Sequence, residues 1–414
     1  MTSATETKAG NPTLKRSLSL PMIALYGLGT TIGAGIYVLI GKVAGSAGLY
    51  APVAFLVAAL LAGLMVFSFA EFSSRLPKSA GEAVYIHAAF AKNWLALLVG
   101  LGVMVSGITS SAAIANGFVG YLHEFVAAPD WLAIVLLVCT LGIVAAWGIT
   151  ESVTIAVVAT VIEIGGLLVA IWAGYDGLAQ LPTRLPDLLP PLTTGAWSGI
   201  LAGSILAFYA FIGFEDMVNV AEEVKDVRRT LPRAIIITLV VTTGFYVVLS
   251  LAAVLSLPLG DLAASEAPLA LLLEQKAPGL SGAISIVAIV AILNGALIQT
   301  VMAARVLYGL ANQGWLPPVF ATIHPKTRTP LPATVTVAVI ILIFALWLPL
   351  VRLAEITSFV MLLMFALVNL ALWRVKWRDP TPPDAFVIPG WMPIAGFFAS
   401  VGIVTLQAIN LIAG

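Results

Sequence analysis

The chain reads as an all-α polytopic membrane protein, and three observations carry that reading. Of its 414 residues, 60% are hydrophobic and only 10% charged, against about 25% charged in a typical soluble domain; the mean hydropathy is +1.06. Apolar runs near the ~20 residues that cross a bilayer recur along almost the whole length. Lys and Arg gather in alternate connections between those runs. A net charge of zero gives no basic face for a nucleic-acid partner. The one cysteine, Cys139, lies inside an apolar run and excludes an intrachain disulfide or a cysteine metal cluster. It is expected as a small buried hydrophobe.

In chain order, residues 1–17 are a polar tail with Lys8, Lys15 and Arg16. The first apolar run is too long for a signal-peptide core, despite the "AGSAG" at 44–48, so it is expected to be retained. Apolar runs follow near 18–43, 50–72, 93–122, 131–150, 153–175, 197–221, 232–257, 281–311, 331–349, 353–374 and 391–412. These predict eleven spans in a single transmembrane domain over 18–414. With the N-terminus inside, fifteen Lys and Arg fall in inner segments. The four in outer segments are Lys42, Arg184, Lys276 and Arg352, and Arg305 lies within a helix near its inner end. That bias predicts a multi-pass protein of the cell inner (plasma) membrane with a cytoplasmic N-terminus.

Two spans look interrupted. The first contains "GTTIGAGI" at 29–36, and the sixth, five spans later, contains "FYAFIGFED" at 208–216. Each interior Gly costs a helix roughly 1 kcal/mol relative to Ala. Backbone groups freed by unwinding are tolerated at membrane depth only where they face a cavity or ligand. Matched interruptions in two halves point to a midplane binding site in an inverted-repeat transporter. Repeat one would cover about 18–175 and repeat two about 197–374, with an extra helix at 391–412. A free half-helix N-terminus attracts an anion and freed carbonyls a cation, so a zwitterion such as an α-amino acid satisfies both. Close helix packing through small residues is the alternative reading of these glycines.

Four separated stretches resemble bacterial amino acid permeases of the amino acid–polyamine–organocation (APC) superfamily. They are "GLGTTIGAGIYVLIGKVAGSAG", "EFSSRLPKSAGEAVYIHAAF", "FYAFIGFEDMVNVAEEVKDVRRTLPRAI" and "AARVLYGLANQGWLPPVFATIHPKTRTPLPA". The resemblance spans about 18–375 and implies a LeuT-type 5+5 inverted repeat working by alternating access. It implies that the substrate carboxylate meets backbone N–H groups around Gly33, Ala34 and Gly35. The ammonium would meet carbonyls of Thr31, Tyr209 and Ile212. Tyr209 stands where relatives carry an aromatic gate, and a core aromatic is the other reading of it. Many relatives have twelve spans, one more than this chain.

A charge at the bilayer centre costs about 2.5–3.5 kcal/mol on insertion scales, so intramembrane acids are functional candidates. Glu163 has no charged neighbour between Glu151 and Asp176, and it falls where many relatives hold a lysine. It is read as a proton- or ion-coupling acid, a carboxylate pairing with substrate, or a neutral structural residue. Glu215 follows the sixth-span break and matches an acid that relatives use near the pathway. It is read as a proton-sensing or gating acid, or as a carboxylate satisfied by the unwound backbone; Asp216 is read as structural. Asn116, Asn294 and Gln299 lie on the third and eighth spans and contact substrate or ion, or hydrogen-bond neighbouring helices; Thr300 is a further ion-site candidate. Glu222, with Glu223, is a candidate inner gate residue in a loop whose basic residues topology mostly explains, and Pro232 is expected to open the seventh span, since proline suits a first helical turn.

No P-loop and no nucleophile–base–orienter set occurs, and His87, His123 and His324 lack metal-ligand spacing. No cofactor, metal or catalytic residue is therefore expected. The predicted function is secondary active transport of amino acids, proton-coupled as symport or exchange. An organic amine or polyamine is the alternative substrate, and a channel or sensor of the same fold the alternative class. The partners are the small-molecule substrate and the lipid bilayer, and nothing in the sequence specifies an oligomeric state.

Overall fold

The computed structural model describes residues 18–413 apart from 78–80, 148–152, 325–326 and 328. Lys8, Lys15, Arg16, Lys78, Lys326 and Arg328 of the charge count lie outside the described residues, as do the side chains of Ala34 and Glu222. The described chain is a helical bundle. It begins with α1 (Leu20–Ala47) and α2 (Ala51–Arg75), a short α3 (Gly81–Phe90), then α4 (Asn93–Leu122), α5 (Asp130–Trp147) and α6 (Val153–Ala173). Two short helices, α7 (Tyr175–Ala179) and α8 (Leu181–Leu188), lead to α9 (Thr194–Tyr209), a 3₁₀ run at Phe214–Glu223, and α10 (Val227–Ser256). Short α11 (Leu259–Ala264) and α12 (Pro268–Lys276) precede α13 (Ser281–Asn312), α14 (Leu331–Trp347), α15 (Leu350–Arg378) and α16 (Trp391–Ala413).

Each predicted apolar run coincides with a helix over most of its described residues. Among the described residues, six helical stretches are long and apolar enough to cross a membrane by length and composition, and five shorter apolar helices accompany them. The short helices α3, α7, α8, α11 and α12 lie in connections that hydropathy alone left blank, because none reaches spanning length.

α1 is the central element, packed against α6, α9, α10 and α13. Ile23, Ile32, Ile36, Tyr37 and Ile40 along it are fully buried, as expected of a helix apolar on every face. α4 packs on α13 and α15, α5 on α14, and α16 on α15 and α2. Phe69 of α2 sits edge-on to Phe214 and to Phe365 of α15, with centroids at 5.6 and 5.4 Å, tying the segment after α9 to both helices.

Two expectations are corrected. Cys139 is exposed on α5, as are its neighbours Leu136 and Ile143. A lipid-facing surface is as apolar as a core, so hydropathy does not place a residue inside. Pro232 does not open the seventh span: α10 starts at Val227, after Asp226 in a left-handed conformation (φ 45°). Proline inside a helix cannot donate to the carbonyl four residues back. That carbonyl, of Arg228, instead accepts Ser74 Oγ at 2.9 Å from the end of α2.

Candidate functional site: two broken helices around a small cavity

Both interruptions are present as departures from helical geometry. α1 runs through Leu20–Ala47 but breaks at Gly33 (φ 23°, ψ −142°). α9 ends at Tyr209; the amides of Ala210, Phe211 and Ile212 tighten onto carbonyls three residues back, and Gly213 (φ 125°) turns the chain into its 3₁₀ run. Positive φ of this kind is glycine territory. The two breaks touch. A Cβ on Gly213 would stand 2.3 Å from the Thr30 carbonyl oxygen, and one on Gly35 would stand 2.8 Å from Ala210 Cα.

A tyrosine of α10 joins the breaks. The Tyr246 hydroxyl lies 2.9 Å from the Thr31 carbonyl and 2.7 Å from the Ala210 carbonyl, one proton shared between two acceptors. Its ring is fully buried, edge-on to Phe55 and Phe211. Beside this junction is a cavity of about 30 Å³ whose wall includes Thr31, Gly33, Gly35, Tyr209, Ile212 and Gln299. That volume holds one or two waters. Thr31 Oγ1 is buried there with no hydrogen-bond partner.

Five of the six expected substrate residues thus share one wall, and the sixth, Ala34, joins two of them along the chain. Two of the expected ammonium acceptors are engaged: Thr31 O by Tyr246, and Tyr209 O by the Ile212 amide at 3.1 Å. The Tyr209 hydroxyl is 3.0 Å from Ser110 Oγ and also donates to the Ser110 carbonyl at 3.2 Å. Gln299 lines the cavity and donates from Nε2 to Asp216 Oδ2 at 3.1 Å. Glu215 accepts the Gly213 amide at 2.8 Å, so its carboxylate caps the turn made by the break. Thr300 donates to the Ala296 carbonyl of its own helix at 2.7 Å. Asn116 stands apart from the cavity: its Nδ2 donates to Leu348 O at 3.1 Å, fastening α4 to the end of α14.

Asn294 and Glu163 form a second polar centre, between α13 and α6. Asn294 Nδ2 lies 3.4 Å from Glu163 Oε1, and Tyr37 of α1 donates its hydroxyl to the Glu163 main-chain oxygen at 2.8 Å. The Glu163 side chain is fully buried, and Oε2 has no hydrogen-bond partner. No ion pair engages it among the described residues. A buried carboxylate ion is costly unless paired, which leaves Oε2 as a seat for a proton or a cation. Among the described residues no group of three or more His, Cys, Asp or Glu is arranged to hold a metal. Sequence reading missed Tyr246, Tyr37 and Ser110. The two tyrosines lie in apolar runs without any local signal, whereas "TSSAA" at 109–113 is a small-polar stretch that marks Ser110 in retrospect.

A larger vestibule of about 830 Å³ opens at the lower end of the bundle, where α1 and α4 begin and α2 and α13 end. Tyr26, Glu82, Asp216, Ile298 and Arg305 are in its wall, and Ile298 also borders the small cavity. Arg305 and Gln313 are exposed, so the vestibule is accessible from that end.

Paired broken helices meeting at a central cavity, with a vestibule leading to one end, define a transporter of the LeuT-type fold. A solved chain of the same architecture is a Na⁺-coupled sialic acid symporter in a substrate-bound outward-open state. It matches with a TM-score of 0.64 over 95% of this chain and 90% of its own, at 14% identity. The chain belongs to the amino acid permease family, whose model matches residues 18–413. It is 27% identical over 410 residues to the branched-chain amino acid permease BcaP of Bacillus subtilis (strain 168), covering 94% of this chain and 87% of that one. It is 29% identical over 402 residues to the vacuolar cationic amino acid transporter 4 of Arabidopsis thaliana, covering 90% of this chain and 64% of that one. The resemblance drawn from the four sequence motifs is borne out.

Proposed function

We propose that this permease carries an α-amino acid across the cytoplasmic membrane by alternating access, coupled to protons as symport or exchange. The observation that carries the reading is the junction of the two breaks, with Thr31 Oγ1 buried and unpartnered beside it. A zwitterion entering there meets amides of the half-helix that starts at Gly33 and carbonyls of the segment after Tyr209. The substrate side chain is left to the cavity wall, where Tyr209 and Ile212 supply an aromatic and an aliphatic surface. The positive-inside bias supports a cytoplasmic lower end, with the vestibule facing the cytoplasm.

Coupling is assigned to Glu163. The Asn294 amide holds one carboxyl oxygen and leaves the other for the proton. Tyr37 links the same residue's backbone to α1, so a change in the Glu163 carboxyl is transmitted to the broken helix. The experiment is uptake into vesicles containing the purified protein, with and without an inward proton gradient, after a binding screen of amino acids and their decarboxylated amines. Saturable, gradient-stimulated uptake with counterflow is expected for an amino acid and not for the amine. Glu163→Gln is expected to keep counterflow and lose gradient stimulation. Stabilisation by amines alone would overturn the substrate assignment. Unchanged gradient-driven uptake in Glu163→Gln would overturn the coupling assignment.

A further inference from the structure

We propose that Glu82 is a second proton-accepting carboxyl of the transport cycle, which takes up a proton when the lower vestibule closes and returns it to vestibule water when the vestibule opens. The proposal rests on the alternating-access reading, and on neither Glu163 nor the identity of the substrate.

Glu82 stands in the first turn of α3, a helix of ten residues that covers the lower ends of α4 and α15. The residue is only 5% exposed, yet it lies in the wall of the vestibule. Its surroundings set up a conflict. The N-terminal turn of a helix favours an anion, and the Glu82 carboxyl accepts from its own backbone N–H. Against this, the side chain is desolvated beside the Tyr85 ring, which itself stacks on Phe72 at 4.5 Å with its hydroxyl buried and unpartnered. Burial wins and pushes the Glu82 carboxyl up to about 7.

The charged neighbours are distributed unevenly. On α3 itself the titratable groups are Tyr85 and His87. The 3₁₀ run packed against α3 contributes Glu215, a second buried carboxyl, and Asp216, in the vestibule wall. From α15, Arg374 and Arg378 are spent on the Ala89 carbonyl, at 3.0 and 3.1 Å. Lys376 and Arg75 are held by Glu71, both at 2.7 Å. The body of α4 brings no charge to this end, with Lys92 just before it exposed; Arg305 of α13, across the vestibule, is exposed too. No cation is paired with Glu82 among the described residues.

Closing the vestibule removes the remaining water from Glu82 and brings its wall nearer to Asp216. Both changes disfavour the anion. The closed state therefore binds a proton more tightly than the open one, and by linkage low pH favours closure. Below about pH 7 the carboxyl is already neutral, and closure carries no desolvation cost from it. Above that value closure must first take a proton from water, so the open state gains with rising pH, by up to tenfold per pH unit for one fully coupled proton.

The test uses the full chain in vesicles, with Cys139→Ser removing the native thiol and Val301→Cys placing a reporter in the vestibule wall. The rate of maleimide labelling is measured from pH 6 to 8, with and without Glu82→Gln, and the two rates are divided at each pH so that the thiol's own titration cancels. The ratio of the Glu82 protein to the Glu82→Gln protein is expected to rise about three- to tenfold over that range. Glu82→Asp, which keeps the carboxyl, is expected to retain a pH-dependent ratio. Should Glu82→Gln fail to fold, a Glu82→Asp midpoint displaced from that of the parent supports the proposal, and an unmoved one overturns it. A flat ratio overturns it as well. Glu163→Gln in the same background is expected to leave the ratio's rise intact; if it abolishes the rise, the proton belongs to Glu163 and the proposal fails. Counterflow by the reporter protein reports separately on alternating access, so loss of that reading is distinguishable from loss of this one.

Discussion

Replacing Gly213 with alanine tests whether the two breaks form one structure. Two separate terms oppose alanine there. A φ of 125° is a conformation that an L side chain adopts only with strain, at a cost of about 1–3 kcal/mol. The new Cβ would also stand 2.3 Å from the Thr30 oxygen and 2.8 Å from its carbonyl carbon, both backbone atoms of the other break. Ordinary contact requires the two segments to part by about 1 Å, an overpacking cost of about 1–3 kcal/mol. The joined arrangement then loses about 2–6 kcal/mol, at least ~30-fold in population. Two companions separate the terms. Gly33→Ala meets a positive φ but no heavy atom within 4 Å, and Gly35→Ala meets Ala210 Cα at 2.8 Å in ordinary helical geometry. The expected order of thermal midpoints in detergent is wild type, then the two single-term variants, then Gly213→Ala. Uptake by Gly213→Ala is expected to fall at least tenfold at normal membrane levels. Uptake within threefold of wild type, or a midpoint no lower than that of Gly33→Ala, would refute the reasoning.

Two further changes probe how the junction and its surroundings are fastened. Tyr246→Phe keeps the ring between Phe55 and Phe211 but deprives the Thr31 and Ala210 carbonyls of their shared donor. Losing that bond costs about 1–3 kcal/mol, so the concentration dependence of uptake is expected to show KM raised about fivefold or more with expression unchanged. Glu71→Gln removes a buried carboxylate that accepts from Arg75 Nε at 2.7 Å, Lys376 Nζ at 2.7 Å and the Ile388 amide at 2.9 Å. Stranding the two cations is expected to cost about 3–5 kcal/mol. Adding Lys376→Met should recover part of the lost thermal midpoint, by the non-additivity expected of contacting residues.

The breaks were legible because an interior glycine is a costly choice that leaves a mark in the sequence itself. Gly33 and Gly213 are read from composition and spacing, and both are where the backbone departs from the helix. What each break touches was not legible. Tyr246 lies in "TTGFYVVL", where nothing distinguishes a bonded hydroxyl from a core aromatic, and its acceptors are 215 and 36 residues away. Asn116 and Asn294 looked alike as single amides on apolar helices. Register alone sends the first to the Leu348 carbonyl and the second to Glu163. Pro232 was placed at a helix start by rule; the helix reaches five residues further back because Ser74, distant in sequence, satisfies the carbonyl that the proline leaves open. Hydropathy fixes which segments are in the membrane, and long-range partners decide what their few polar atoms do.

Burial by itself does not mark a functional acid, and three carboxyls of this chain make the distinction. Glu71, Glu82 and Glu163 are all at most 5% exposed. Glu71 has a guanidinium, an ammonium and a backbone amide on its two oxygens, so its charge is fully engaged in holding α2 to α15 and to the strand of chain before α16. Glu163 has one amide at 3.4 Å and an oxygen with nothing opposite it. Glu82 has its own backbone N–H and the wall of a vestibule. The donors that a buried carboxyl lacks determine how strongly it must respond when its surroundings change. On that measure Glu71 belongs to the framework, whereas the proposed proton sites are Glu163, beside the broken helix, and Glu82, in the wall of the vestibule. Exchanging the partners should exchange the roles. A lysine placed within reach of Glu163 Oε2 is expected to preserve the fold and abolish gradient-driven uptake. Retention of that uptake, with the pair formed, would show that the unpartnered oxygen is not the coupling site.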